Sequence, residues 1–200
     1  MPGSRPSCRH LTIYMRRIAF IWFLLLVGFP LTAARADSIP PELEMAIHLK
    51  ILSFDSGLKE RATASTISIA ILHPADRKGA ASDVVTAVAG LSEKGVTVHG
   101  KKVRAVAIPI SADLADRLSG ISVLYIIDDV GSDTVSAIAR IAVSRKLPLL
   151  SGDRSYLASG GAVAVVEKNN KPGIVVHAGN AKECGMVLDS KLLRLAEVIK

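Results

Sequence analysis

The chain has 200 residues, of which 50% are hydrophobic and only 4% aromatic, and its formal net charge is +7. So few aromatic side chains argue against carbohydrate or single-stranded nucleic-acid binding, because those ligands are usually stacked on aromatic rings. Most of the excess positive charge lies near the N-terminus, where it indicates targeting rather than a nucleic-acid surface.

The N-terminal segment has the layout of a secretory signal. Four arginines precede or open an almost entirely apolar run of about 14 residues, which is short for a membrane span of roughly 20. Ala34-Arg35-Ala36 then forms an A-x-A cleavage pattern. We predict a signal peptide over residues 1–36, cleaved between Ala36 and Asp37, with an uncleaved anchor as the alternative. The remaining residues 37–200 are predicted to form one periplasmic domain.

Removal of this segment changes the charge and the cysteine content. Of the 25 basic and 18 acidic residues, five arginines lie in residues 1–36, so 20 basic and 18 acidic residues remain, a net charge of +2. The high pI is therefore weak evidence for nucleic-acid binding. Cys8 leaves with the signal and Cys184 remains alone, which excludes an internal disulfide. We interpret Cys184 as a small buried residue, with a redox or intermolecular role as the alternative.

The first half of the domain alternates helix and strand. Apolar residues three or four apart predict one face of a first helix: Leu43, Ile47, Ile51, Phe54 and Leu58. Asp55 is among the polar positions around that helix. The following segments are predicted as strand, loop, helix, strand and short helix: Thr66–Leu72, His73–Gly79, the segment with Val84, Val88 and Leu91, Val103–Ile110, and Ala112–Leu118.

A β-α-β unit occupies the centre of the chain. Val123–Ile127 is a short apolar, β-branched run typical of a strand buried on both faces. Asp128 and Asp129 follow as turn residues, and Ser132 or Asp133 could cap the next helix. Pro148 ends that helix and Leu149 begins another apolar run. A parallel sheet with a right-handed crossover is the expected product.

The C-terminal part has a different pattern. Gly160–Val166 and Ile174–His177 read as two strands around a polar turn, Glu167–Gly173, and so predict a hairpin. Helical spacing of Leu188, Leu192, Leu195, Ala196 and Ile199 predicts a final helix. The sequence thus indicates an α/β fold, a three-layer α/β/α domain with a mainly parallel sheet and a C-terminal antiparallel hairpin followed by a helix.

Candidate binding residues follow the predicted strands. Ligands of open parallel sheets bind outside the carboxyl ends of the strands. These ends supply five candidate ligand-binding residues: Asp128, Asp129, Ser132, Asp153 and His73. Paired carboxylates can share a proton or hold a cation. The alternative, which we weigh more heavily, is that the Asp-Asp-Val-Gly-Ser-Asp stretch is only a turn and a helix cap.

The chemical motifs of common enzymes are missing from the sequence. It contains no HExxH, no glycine-rich nucleotide loop and no GxSxG nucleophile motif. Gly160-Gly161 leads into a strand rather than a helix, so it lacks a helix N-terminus for an anion. We expect no catalytic residues, no metal site and no cofactor.

Several segments resemble the YfiR-like family of periplasmic regulatory proteins. They are Val123-Leu-Tyr-Ile-Ile127, Leu147-Pro-Leu-Leu-Ser-Gly-Asp153, Gly160-Gly-Ala-Val-Ala-Val165 and, most strongly, Gly185-Met-Val-Leu-Asp-Ser-Lys-Leu-Leu-Arg-Leu-Ala196. The last is similar to the family's G-L-x-x-S-S-x-L-L-x-L-A ending. Unlike members with stabilising cysteine pairs, the chain has only Cys184 after the signal, which marks it as divergent.

The resemblance implies a non-enzymatic periplasmic regulator. Such a protein binds and restrains an inner-membrane signalling partner, a diguanylate cyclase or sensor protein, and so controls cyclic di-GMP and biofilm formation. It is expected to be a homodimer, to bind no nucleic acid and to keep no membrane span after signal removal. The alternatives are a single-domain periplasmic small-molecule binder related to transporter solute binders and, less favoured, an enzyme using the carboxylate rim. The identity of the partner and the inducing signal are not encoded in any motif.

Overall fold

The computed structural model describes residues 39–62 and 65–200, which form a sheet with helices on both faces. The strands of this sheet are β1 Thr66–His73, β2 Thr97–Val98, β3 Lys101–Pro109, β4 Val123–Ile126, β5 Leu149–Ser151, β6 Val163–Lys168, β7 Lys171–His177 and β8 Glu197–Ile199. The helices are α1 Pro41–Leu52, α2 Ser56–Arg61, α3 Lys78–Glu93, α4 Leu114–Arg117, α5 Ser132–Arg145, α6 Ala178–Glu183 and α7 Ser190–Leu193, with 3₁₀ turns at Ala75–Arg77 and Arg154–Ser159. The predicted signal peptide of residues 1–36 and its Ala36–Asp37 cleavage site lie outside the described residues.

The strand order is β2-β3-β1-β4-β5-β6-β7-β8. The five strands from β3 to β6 run parallel, β6 and β7 form an antiparallel hairpin, and β8 pairs in parallel with β7. One apolar cluster joins α1 and α3 to the sheet, and a second joins α4 and α5 to its opposite face. These layers confirm the predicted three-layer α/β/α fold with its mainly parallel sheet and C-terminal hairpin.

Strand β1 lies at the centre of the parallel sheet. Ile67, Ile69 and Ile71 belong to the cluster on the α1 and α3 side, while Ala70 and Leu72 belong to the cluster on the other side. The strand is paired along one edge with β3 and along the other with β4. A continuous apolar run is what such a position requires, because both faces are dry.

The predicted face of the first helix is wrong in part. Leu43 is 46% exposed, whereas the buried residues of α1 are Met45, His48, Leu49, Ile51 and Leu52. The helix packs on α3 as well as on the sheet, so it buries two adjoining sides rather than one stripe. It also ends at Leu52, and Leu58 belongs to a separate helix, α2.

The predicted buried strand over Val103–Ile110 lies close to an edge of the sheet. Only Val103 and Ile108 of β3 are buried, and Val106 is 43% exposed. The short β2 covers only the start of β3, at Lys101 and Lys102. Position in the sheet, which the local sequence does not encode, therefore decides the burial of this strand.

The predicted side-chain cap of the central helix is also wrong. Helix α5 begins at Ser132 with Gly131 as its N-cap residue, and neither Ser132 nor Asp133 provides a side-chain cap hydrogen bond. The last helical residue is Arg145. The C-cap residue, Lys146, adopts a left-handed conformation with φ 56° two residues before Pro148.

The predicted C-terminal helix is replaced by a helical turn and a strand. Only Ser190–Leu193 is helical, and Asp189 caps it by accepting a hydrogen bond from the Lys191 N–H at 2.7 Å. Residues Glu197–Ile199 then add β8 to the sheet, with Val198 opposite Val176. Pairing with β7 satisfies the main chain, and this overrides the helical spacing.

The predicted hairpin is present but tighter than expected. Its turn consists of Asn169 and Asn170, with φ of 53° and 57°, and Lys168 pairs with Lys171 across it. Asparagine tolerates this left-handed conformation, which matches the twist of two-residue hairpins. Within the described part of the chain, no helix combines the length and hydrophobicity needed to cross a membrane.

Candidate functional site

The ends of β1 and β4 lie side by side at the carboxyl edge of the sheet. The chain leaves β1 into α3 on one face and leaves β4 into α5 on the opposite face. Because neighbouring connections diverge there, the two strand ends are not covered by a shared helix. This switch point is where open α/β sheets bind ligands.

The acidic turn follows β4 directly at this switch point. Asp128 and Asp129 are exposed, and Asp129 has a left-handed φ of 67°. Arg77, in the 3₁₀ turn that follows β1, places Nη2 2.8 Å from Asp129 Oδ2. This ion pair joins the turn after β1 to the turn after β4. Because both side chains are well exposed, it adds little to stability.

Tyr156 fixes the main chain of the acidic turn, a role that the sequence analysis missed. Its hydroxyl accepts a hydrogen bond from the Val130 N–H at 2.7 Å and donates to the Ile127 carbonyl at 3.4 Å. Both sides of the turn are thus tied to one buried side chain. Burial raises the pKa of Tyr156, which keeps the hydroxyl protonated and able to donate. A tyrosine in an otherwise aromatic-poor core is a sequence signal for such a buried polar contact.

A largely buried polar cluster around Tyr125 of β4 was also missed. The Tyr125 hydroxyl donates to Glu44 Oε1 at 2.7 Å, and His48 Nε2 is 3.5 Å from the same oxygen. The His48 ring meets Tyr125 edge-on, with centroids 5.5 Å apart. Burial, and then the charge of Glu44, raises the pKa of Tyr125 well above its ordinary value. Glu44 is therefore held by a neutral donor.

His48 is the unusual member of that cluster. Its side chain is fully buried, and neither ring nitrogen has a hydrogen-bond partner among the described residues. An imidazole in this position loses its hydration without full replacement, which costs stability. The edge contact with Tyr125 and the nearby Glu44 carboxylate offset part of that cost.

Gly152 connects the buried cluster to the acidic turn. A Cβ atom at this position would lie 2.8 Å from Glu44 Oε1 and 3.3 Å from Asp128 Oδ1. The two carboxylates therefore converge on the main chain just after β5, where a side chain would require the Glu44 carboxylate to shift. Glu44, Asp128 and Gly152 form the centre of the candidate site.

The other predicted residues lie at different depths. His73 ends β1 but is 3% exposed, and its Nδ1 lies 2.7 Å from the carbonyl oxygen of Pro74, so it is engaged inside the fold. Ser132 is exposed at the start of α5. Asp153 accepts a hydrogen bond from the Ser155 N–H at 2.7 Å and so caps the 3₁₀ turn. Asp153 also lines an open groove of about 600 Å³ together with His177 and Ile199.

This arrangement provides negative charge and hydrogen-bond acceptors at an open rim. Within residues 39–62 and 65–200 no three His, Cys, Asp or Glu side chains are grouped closely enough to hold a metal ion. Cys184 is buried as predicted, and burial raises its pKa to about 11, so its thiol is a poor nucleophile at neutral pH. The chemistry of the rim suits an amine or hydroxyl group of a ligand, or a basic side chain of a protein.

Residues 41–197, from the start of α1 into β8, match the YfiR/HmsC-like family. The chain belongs to this family. Membership confirms the resemblance carried by the strand and C-terminal segments, and it supports a periplasmic, non-enzymatic regulatory role. No curated protein sequence matches the chain.

Solved structures similar to this YfiR/HmsC-like protein show the same fold at low sequence identity. A conserved domain protein from Vibrio cholerae has 16% identity and a TM-score of 0.53, covering 82% of this chain and 61% of its own. An ABC domain in complex with L-Trp from Streptococcus pneumonia has 16% identity and a TM-score of 0.54, covering 80% and 60%.

A third similar structure is a substrate-binding protein with adhesive properties from Clostridium difficile, in its ligand-free, open form. It has 17% identity and a TM-score of 0.52, and the match covers 72% of this chain and 58% of that one. The chain thus spans about three-fifths of the length of these proteins. At such identities the similarity concerns the fold alone.

Proposed function

We propose that the protein is an exported, non-enzymatic regulator that binds and restrains an inner-membrane diguanylate cyclase and acts as a homodimer after removal of residues 1–36. The observation that carries the proposal is the family match over residues 41–197, which spans the helices on both faces of the sheet. The sequence motifs of common enzymes are absent, and this agrees with a binding role.

Restraint of a cyclase would operate by linkage. A regulator that binds the inactive form of a receptor more tightly than the active form shifts the equilibrium by the ratio of the two affinities. A hundredfold ratio corresponds to about 2.7 kcal/mol, which is enough to turn an evenly populated receptor almost entirely off. The exposed acidic turn, supported from below by Tyr156, is a rigid surface on which a basic segment of the partner could dock.

The proposal is tested by deleting the gene and measuring cellular cyclic di-GMP. Loss of the regulator should raise cyclic di-GMP and biofilm formation, and the native gene should restore both. A tagged protein cross-linked in the envelope should recover a cyclase by its sequence. Asp129→Asn, which removes the charge and keeps a residue that tolerates the left-handed backbone, should fold normally and fail to restore control. An unchanged cyclic di-GMP level together with no recovered cyclase would rule out the proposal.

The second candidate is a periplasmic small-molecule binder. It is favoured by the switch point at the ends of β1 and β4, and by the two carboxylates, Glu44 and Asp128, that converge on Gly152 just after β5. Two proteins of the same fold, one in complex with L-Trp and one described as substrate-binding, support it as well. On this proposal the ligand contacts come from the residues of the rim, Asp128, Asp129, Ser132 and Asp153. The buried His73 supports the rim from the interior of the fold.

A thermal-shift screen separates the two candidates. Amino acids and polyamines are suitable probes because their ammonium groups complement the acidic rim. A binder should melt at a higher temperature in the presence of its ligand, and Asp128→Asn should remove the shift. A rise in melting temperature without any effect of the gene on cyclic di-GMP would favour the binder. Asp128→Asn also tests the third alternative, an enzyme that uses the carboxylate rim. If an enzymatic activity is found and Asp128→Asn leaves it unchanged, the rim is not its site.

A further inference from the structure

The outer edge of β3 is an open, apolar strand edge. On its inner side β3 pairs with β1 from Lys102 to Pro109. On its outer side β2 pairs only with Lys101 and Lys102. Beyond those residues, no strand in the described part of the chain covers β3, and Val106 in the middle of the open stretch is 43% exposed. Such an edge is a template for pairing with another strand.

The hydrogen-bonding direction along β3 can be read at both of its ends. The Ile110 N–H donates to the His73 carbonyl at 2.8 Å, so the main chain at Ile110 faces β1. At the other end Lys101 closes the tight hairpin with Val98 and faces β2. Because successive residues of a strand alternate in direction, the main-chain groups of Ala105 and Ala107 point outward.

We propose that β3 pairs with β3 of a second copy of this chain, antiparallel about a two-fold axis at Val106. Ala105 of one copy then lies opposite Ala107 of the other, and each of these pairs exchanges two N–H···O=C hydrogen bonds. Val106 of one copy lies opposite Val106 of the other as a non-hydrogen-bonded pair. This pairing brings the two side chains close together and removes their exposed surface from water. The interface is isologous, as closed two-fold dimers require.

The charges along the strand fit this antiparallel arrangement. Lys101, Lys102 and Arg104 lie at its amino end, and Asp113 and Asp116 follow its carboxyl end. Antiparallel pairing brings the cationic end of one copy towards the acidic end of the other. It also keeps the basic ends of the two copies apart. Pro109 has no N–H group and so limits the pairing to the stretch centred on Val106.

The opposite edge of the sheet is protected against such pairing. Strand β8 is short, Glu197–Ile199, and its Glu197 carboxylate is bound by Arg154 and Lys168. Charged side chains on a short strand are the usual protection of a sheet edge. Val198 on β8 is nevertheless 43% exposed, the same fraction as Val106 on β3. The two valines are therefore matched in residue type and exposed fraction, and only β3 is assigned to self-association.

This inference shares only one element with the proposed function, namely that the protein is a homodimer, and it names the interface of that dimer. The two fail separately, because a monomeric protein could still restrain a cyclase, and control of cyclic di-GMP could be lost while the dimer persists.

The first test measures the oligomeric state by size-exclusion chromatography with light scattering. The protein expressed from its full coding sequence should be a dimer. Val106→Lys places two like charges directly opposite each other and should weaken dimerisation about tenfold or more. Val198→Lys introduces the same charge on β8 and should leave the dimer intact. A native protein that is monomeric at the highest soluble concentration, or equal loss of the dimer in both variants, overturns the proposal.

The second test does not depend on tolerance of the lysine. Opposite residues of a non-hydrogen-bonded pair have Cα atoms about 4.5 Å apart, which lies within the range of a disulfide. Val106→Cys should therefore form a covalent dimer under mild oxidation, and the dimer should revert on reduction. Val198→Cys is the matched control and should remain unlinked, as should native Cys184, which is buried. Equal cross-linking of the two variants, or none in Val106→Cys, contradicts pairing at β3.

Discussion

Two aspartates in this protein show how burial assigns different roles to the same side chain. Asp55 lies between α1 and α2 and is completely buried. Asp129 lies on the acidic turn after β4 and is exposed. Each is paired with an arginine, Asp55 with Arg61 at 3.3 Å and Asp129 with Arg77 at 2.8 Å. The shorter ion pair is the exposed one, and it is the weaker contributor to stability, because water competes for both partners.

The buried aspartate joins the two ends of the domain. Its Oδ1 accepts a hydrogen bond from the Val187 N–H at 2.7 Å, and its main chain forms an isolated antiparallel bridge with Leu188. His99 Nε2 lies 2.9 Å from the Asp55 carbonyl oxygen. The C-terminal segment is thereby fastened to the loop after α1. The exposed Asp129 lies at the surface, where a partner can reach its carboxylate, and this suits a binding surface.

The largest effect is expected from Asp55→Ala. The substitution leaves the Val187 N–H without its acceptor and Arg61 without its carboxylate, so the free energy of unfolding should fall by about 3 kcal/mol. Urea denaturation measures this change. Asp55→Asn retains an acceptor oxygen and should lose less. A loss below about 1 kcal/mol for the alanine variant would place this contact among the weak surface pairs.

Tyr125→Phe tests the partly buried carboxylate of Glu44. The variant keeps the aromatic packing against His48 but removes the hydroxyl that donates to Glu44, and the free energy of unfolding should fall by about 1 to 2 kcal/mol. Glu44→Gln combined with Tyr125→Phe completes a double-mutant cycle, which should report a coupling between the two residues. Strictly additive losses would show that the 2.7 Å contact contributes little.

Tyr156→Phe should have an effect of intermediate size, smaller than that of Asp55→Ala and larger than that of a change at Asp129. Loss of the hydroxyl leaves the Val130 N–H without an acceptor and should cost about 1 kcal/mol. The acidic turn should also become more mobile, so the Val130 amide should exchange with solvent faster than in the native protein. Amide exchange measured by NMR tests this, with an amide in β1 as the internal reference.

Asp129→Asn should change stability by less than about 0.5 kcal/mol. Asparagine tolerates the left-handed backbone at this position, so the turn itself should remain. Thermal melting and cellular cyclic di-GMP should be measured on the same variant. A regulatory defect without a change in melting temperature would assign the exposed carboxylate to binding, whereas a large drop in melting temperature would refute the contrast with Asp55.

The smallest effect concerns the exposed Glu197. Hydrogen bonds from Arg154, and then from Lys168, lower its pKa from 4.5 to about 2. A folded-state pKa below the ordinary value means that its contribution is complete above 4.5 and is lost as the pH falls through about 2. NMR titration of the carboxyl carbon should find this midpoint. High salt or Arg154→Ala should move it upward, and an unchanged midpoint in Arg154→Ala would reject the assigned cause.

Local pattern was sufficient for the strands that are buried on both faces. Thr66–Leu72 and Val123–Ile127 were predicted as continuous apolar runs, and the structure has strands at Thr66–His73 and Val123–Ile126. Helix α5 and the hairpin were predicted as well, because helical spacing and turn residues are local signals. The candidate site was predicted only at its rim. Glu44 and Gly152 carry no motif, and it is the packing of α1 over the strand ends that brings them together.

The sequence by itself determined the order of helices and strands from β1 to β7, the three-layer α/β/α class and the acidic turn that ends β4. These features depend on which residues must avoid water within a single helix or strand, and that requirement is written in local periodicity. Only the tertiary structure decided that Asp55 is buried, that Val103–Ile110 lies near an edge and that Glu197–Ile199 is a strand. Each of these outcomes depends on a partner distant in the chain, Val187 for Asp55, β1 for β3 and β7 for β8. Contacts of that kind are set by the assembled sheet, because a main-chain or carboxylate group takes whichever partner the fold places within reach.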